Sequence, residues 1–117
     1  MSGIAIHARM RAKPGQEEAL ESWMRELIER VRTGDPGTVA FGFHRDAVTG
    51  EYICMEHYRD AEAVEGHFAN VADLLARLPA ITDPGDQPLE VCGDLTPAIR
   101  EHYLPWNPRF MSPVAAL

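Results

Sequence analysis

Cysteine is nearly absent from this sequence: Cys54 and Cys92 are the only two, each inside an apolar, strand-like run, with no Cys-x-x-Cys pair. That usage argues against a disulfide scaffold and for two reduced, buried thiols in a cytoplasmic protein. Basic residues are scarce as well, 11 Lys plus Arg against 18 Asp plus Glu for a formal charge of -7, and they form no cluster. Nucleic-acid binding is disfavoured by that balance. No apolar run approaches the length of a membrane span, and Met1-Ser-Gly-Ile-Ala-Ile-His7 has no basic region leading into a long apolar stretch, so neither a membrane protein nor an exported one is expected. Five histidines are scattered without His-x-His or His-Glu-x-x-His spacing, which argues against a metal site. Internal repeats and low-complexity tracts are also missing.

What is present suffices for one ordinary globular domain: 117 residues, 45% hydrophobic and 25% charged. Ile4, Ile6, Ala8 and Met10 alternate with His7, Arg9 and Arg11, the pattern of a half-buried strand over Ile4 to Ala12, ended by Lys13-Pro-Gly15. From Gln16 the apolar positions become Leu20, Trp23, Met24, Leu27, Ile28 and Val31, the spacing of an amphipathic helix, and Gly34-Asp-Pro-Gly37 stops it. Thr38 to Asp46 and Glu51 to Tyr58 predict a hairpin across a short turn. Asp60 reads as the N-cap of a second helix reaching to about Leu78, weakened in the middle by Gly66 and Asn70 and ended by Pro79. Thr82 to Asp86 reads as a loop, Leu89 to Leu95 as a fourth strand, and Thr96-Pro97 as the cap of a short helix to about Tyr103. The proline-rich remainder cannot be regular by this reading, yet Trp106, Phe110 and Met111 want burial.

The order strand, helix, strand, strand, helix, strand predicts an α+β fold, the ferredoxin-like split βαβ unit: an antiparallel four-stranded sheet with both helices on one face. Residues 1–95 form that domain, and 96–117 a short helix and proline-rich extension packing on the domain or a partner subunit. The other sheet face carries Ile53 and Met55 with His7 and His57, which argues for a second sheet and hence a homodimer.

Chemistry concentrates between Tyr52 and Phe68. Strand alternation puts Tyr52, Cys54, Glu56 and Tyr58 on one face. An inward Glu56 in so apolar a strand must be paired or protonated; it is either a catalytic carboxylate or one structurally bonded to His67 or a helix terminus. His67 shares a helix face with Val64 and Val71 and reads as a packed histidine bonded to one carboxylate or as a proton shuttle. Tyr58 either caps the core or offers a hydroxyl to a substrate oxygen. Trp23 is most simply the largest residue of the first helix's core stripe, and His44 could reach a cavity mouth or solvent. No role suggests itself for His102.

Arg11-Ala-Lys-Pro-Gly-Gln-Glu-Glu18 at the first strand-helix junction, Met55-Glu-His-Tyr58 ending the third strand and Glu65-Gly-His-Phe68 in the next helix together resemble the antibiotic biosynthesis monooxygenase family over about Ile4 to Leu95. The resemblance implies a dimeric α+β barrel. It also implies oxidation of a small quinol-like or polycyclic phenolic substrate by O2, in the cofactorless members without metal or flavin. On that implication Glu56, His67 and Tyr58 are the catalytic candidates, with Trp23, Met24, Phe68 and His44 binding substrate. Haem-degrading proteins of the same fold carry Asn, Trp and His where this chain aligns Ala8, Tyr58 and an apolar residue near Leu74, so haem degradation is not expected. The rival expectation is a dimeric α+β barrel that binds a ligand or serves a stress response without catalysis.

Overall fold

Alternation in the first strand becomes the centre of a sheet. The computed structural model describes residues 3–84 and 88–117. In it β1 (Ile4–Ala12) runs between β3 (Tyr52–Tyr58) and β5 (Leu89–Gly93), antiparallel to both, and β2 (Thr38–Arg45) pairs antiparallel with β3 outside it. The order β2-β3-β1-β5 is that of the expected split βαβ sheet. Helices α1 (Glu17–Gly34) and α2 (Ala61–Leu75) bury Leu20, Trp23, Leu27 and Val31 from one and Val64, His67, Val71 and Leu74 from the other, three or four residues apart along each. The Asp60 carboxylate accepts the Ala63 amide at 2.9 Å and fixes the start of α2.

Departures from the expected elements begin in the second helix. The second helix is continuous through Gly66 and Asn70 but ends at Leu75, short of Pro79; Pro79 lies instead in the first turn of a separate one-turn helix, α3 (Leu78–Ile81), where its missing N–H costs no intrahelical bond. Asn70 is tolerated because its side chain bonds outside the helix, to Arg30 O at 2.9 Å. Thr82 to Asp86, expected as a loop, contributes a three-residue strand, β4 (Thr82–Pro84), antiparallel to β1, while Gly85 and Asp86 lie outside the described residues.

The largest departure is in the tail. After α4 (Pro97–Tyr103) and a 3-10 turn over Leu104–Trp106, Asn107 takes a left-handed conformation (φ 54°) and the chain enters β6 (Pro108–Met111), parallel to β5. A segment expected to be irregular is thus a strand of its own domain's sheet. Proline is accommodated there because Pro108 is the first residue of the strand, a position where proline is tolerated in sheets. A parallel neighbour requires a crossover, and α4 supplies it.

Candidate functional site

Strand register places one carboxylate in an apolar row. Phe41 of β2 lies opposite Glu56 of β3, Glu56 opposite Ile6 of β1, Ile6 opposite Val91 of β5, and Val91 opposite Phe110 of β6. Residues directly paired across strands share a sheet face, so Glu56 is the only acid in that row of five. Above it, between sheet and helices, lies a cavity of about 320 Å³ walled by Met10, Trp23, Phe41, Phe43 and Phe68 among others, with Glu56 and His67 in its lining.

Glu56 is half-buried and accepts two hydrogen bonds from its own strand, from the Tyr58 hydroxyl and from Cys54 Sγ at 3.3 Å. Burial pushes its carboxyl above the usual range, against the opposing pull of Tyr58, His67 and Cys54. Burial, and then the neighbouring Glu56, push the Tyr58 hydroxyl far up, so Tyr58 remains a donor. The Cys54 thiol is pushed well up by the same two causes and is no nucleophile.

A bond between Glu56 and His67, one of the alternatives for this carboxylate, does not form. His67 turns its Nδ1 to Asp35 Oδ2 at 2.5 Å, and Asp35 Oδ1 accepts the Asn70 side-chain amide at 2.8 Å. Both members of the pair are buried, His67 with 3% and Asp35 with 1% of the side chain accessible. In the sequence Asp35 reads only as part of a helix stop. The available signal was the pair His67 and Asn70, three apart on α2, one on its buried stripe and one half-buried at its edge, because polar side chains so placed require a partner from another element.

A scan against family models matches residues 3–72 to "antibiotic biosynthesis monooxygenase". The chain belongs to that family. Its fold is shared by solved structures of low identity: MupZ from Pseudomonas fluorescens (19% identical, TM-score 0.87, covering 100% of this chain and 94% of that one), Rv0793 from Mycobacterium tuberculosis (22%, 0.68, 81% and 97%) and PA3566 from Pseudomonas aeruginosa (23%, 0.65, 82% and 97%). Among curated proteins none matches.

The family match takes in Trp23, Asp35, Glu56, Tyr58, His67 and Phe68, yet part of the cavity wall lies beyond it. Tyr103, Trp106 and Asn107, all from the C-terminal extension, line the same cavity. Phe68 joins the two parts, its ring 4.3 Å from that of His102 and 5.8 Å from that of Tyr103. Two expected binding residues go elsewhere: Met24 and His44 line a separate shallow cavity between α1 and β2, and His44 is exposed. Period two explains His44, since Phe41 and Phe43 take the cavity face of β2.

The Tyr103 hydroxyl is buried with no hydrogen-bond partner among the described residues. An unpaired buried hydroxyl costs about 1–3 kcal/mol. Tyr103→Phe should therefore raise the stability of the ligand-free protein, by about 1 kcal/mol or roughly 4 °C in Tm. A lower Tm would mean that the hydroxyl is partnered.

Proposed function

We propose that this member of the antibiotic biosynthesis monooxygenase family is a cofactor-independent monooxygenase that oxidises a quinol-like or polycyclic phenolic molecule with O2. The observation that carries the reading is the make-up of the cavity: mostly aromatic and aliphatic walls, with a protonatable carboxyl and a carboxylate-bound histidine on its lining. Aromatic walls suit a planar ring system, and two groups in unlike environments suit a base and an acid.

His67 takes the phenolic proton and the electron pair stays on the ring. The electron-rich anion then reduces O2, and a ring carbon bonds to oxygen as a peroxide that takes back the proton held by His67. His67 then removes that carbon's hydrogen as a proton, the O–O bond breaks to leave a carbonyl, Glu56 gives its proton to the departing hydroxide, and the proton on His67 returns to Glu56. Phenol plus O2 thus gives quinone plus water, with no external reductant. Tyr58 holds Glu56 in place, and Trp23 and Phe68 confine the ring and exclude water.

We further propose a homodimer assembled through the sheet face away from the helices, where Met55 is 43% exposed beside the half-buried Ile53, His7 and His57. The unpaired Cys54 and Cys92 suit a reducing compartment such as the cytoplasm.

The test is oxygen uptake by metal-free protein with a panel of reduced quinols and anthrone-like phenols under ¹⁸O2. One labelled atom in the quinone and one in water is the expected result. Tight binding of the same compounds without uptake would replace the oxygenase reading with that of a ligand-binding protein.

A further inference from the structure

The structure assigns to Asp35 a positioning role: it holds His67 in the tautomer that presents a bare Nε2 to the cavity. The inference rests on the oxygenase reading for its catalytic consequence and on geometry for everything else.

Arg30 O can only accept, and it receives the Asn70 side-chain amide at 2.9 Å. That contact fixes which end of the Asn70 amide faces inward, so the same nitrogen meets Asp35 Oδ1 at 2.8 Å as a donor. Arg30 reinforces it by donating from its guanidinium to the Asn70 backbone carbonyl at 2.9 Å. Asp35 then accepts on Oδ1, its Oδ2 accepts the Thr38 hydroxyl at 3.5 Å, and as a carboxylate it has only acceptors to offer His67 Nδ1, which lies 2.5 Å from Oδ2. His67 Nδ1 therefore carries a proton. In the neutral ring Nε2 is the acceptor, and the ring lines the cavity.

The carboxylate is itself held. Asp35 sits between α1 and β2 with its amide on Val31 O at 3.0 Å and its carbonyl accepting the Thr38 amide at 3.2 Å. The ring is held too, 5.2 Å from Phe41, 5.3 Å from Tyr58 and 5.4 Å from Phe68 between centroids. When Nε2 takes a phenolic proton, the imidazolium forms against a carboxylate already in contact, with no solvent reorganisation. The ionisable groups that share the cavity lining with His67 are Arg9, Cys54, Glu56 and Tyr103, with Tyr58 against the ring and Arg30 behind Asn70.

Asp35→Asn tests the assignment. An amide cannot accept on both sides. It must turn its NH2 either toward Asn70, donor against donor, or toward His67, which then has to give up the Nδ1 proton and carry it on Nε2. The second arrangement avoids the facing donors, and in it the base is lost while the cavity keeps its shape. Expected are a folded variant with unchanged affinity for the probe 1-naphthol, an unchanged KM and a kcat lower by about 100-fold or more. Long-range ¹H–¹⁵N NMR of the histidine rings should show Nδ1–H for His67 in the parent and Nε2–H in the variant.

An Nε2–H tautomer in the parent overturns the inference whether or not the variant folds. So does a variant with a changed tautomer and undiminished kcat. If no phenol is turned over by the parent, the oxygenase reading fails, while the NMR result still decides the positioning of His67.

Discussion

Glu56→Gln should fold as the parent does, lose turnover by about 10²- to 10⁴-fold, and become more stable relative to the parent as pH rises. The first part follows from shape. Gln can still accept the Tyr58 hydroxyl and set its amide beside Cys54 Sγ, so the two contacts that hold Glu56 survive, while the proton supplied to the departing hydroxide is gone. The second part follows from linkage. Burial raises the Glu56 carboxyl above its ordinary value, so the group contributes stability that is fully present below the unfolded carboxylate value and is lost as pH climbs through the raised one. Gln cannot ionise and does not undergo that loss. The Tm of the variant minus that of the parent should therefore increase as pH rises above the ordinary carboxylate range, about pH 4, the direction set by an upward shift. A difference that shrinks over the same range would show Glu56 to be a paired, structural carboxylate, and undiminished oxygen uptake would remove it from the mechanism.

Where local period and turn chemistry agree, the fold was legible in the residues. The two-residue alternation of Ile4 to Met10, the hairpin either side of the turn, the Asp60 cap and the Thr96-Pro97 helix start all appear where expected. The short strands β4 and β6 were not legible, because their existence depends on non-local pairing. Pro108-Arg-Phe-Met111 is too brief for alternation to register, and its pairing with β5 is fixed by Asn107, whose carbonyl accepts the Leu89 amide at 3.1 Å. The sequence did hold one unused clue: an apolar pair, Phe110 and Met111, following a strand and a helix is what a parallel crossover unit looks like.

The candidate site divides along the same line. Cys54, Glu56 and Tyr58 share a face by strand geometry alone, and His67 lies on the buried stripe of α2 by helical spacing. What joins them to the rest is tertiary. Trp23 and Met24 are neighbours on α1, and nothing in an amphipathic pattern says which of them meets the cavity. Asp35 belongs to a turn, where acids are ordinarily solvated, and only the approach of α2 makes it a buried partner for His67. Tyr103 and Trp106 reach the cavity because β6 ties the extension to the sheet, a consequence of a short strand that periodicity missed.

Gly93→Ala should lower stability by about 3 kcal/mol or more, enough to unfold a marginal domain, whereas Gly66→Ala should raise it by about 1 kcal/mol. Gly93 ends β5 at φ 120°, a conformation L side chains rarely adopt, and lies opposite Ile4 of β1. A methyl group there would stand 2.0 Å from Gly3 O and 3.3 Å from Ile4 Cα. These are backbone atoms with no rotamer to change, so the start of β1 has to move. The next amide, Asp94 N, donates to that same Gly3 oxygen at 3.3 Å and would lose its partner. Displacement of β1 against β5 also shifts Ile6 against Val91, and with it the row that holds Glu56. Gly66 is the internal control: it lies inside α2, nothing approaches the position a methyl would take, and Ala there gains helix propensity alone. Thermal melts of the two variants beside the parent should separate in opposite directions, Gly93→Ala downward by more than about 10 °C and Gly66→Ala upward by roughly 4 °C. A Gly93→Ala protein melting with the parent would mean that the end of β5 does not meet the start of β1 in this way, and the register that delivers Glu56 to the cavity would have to be redrawn.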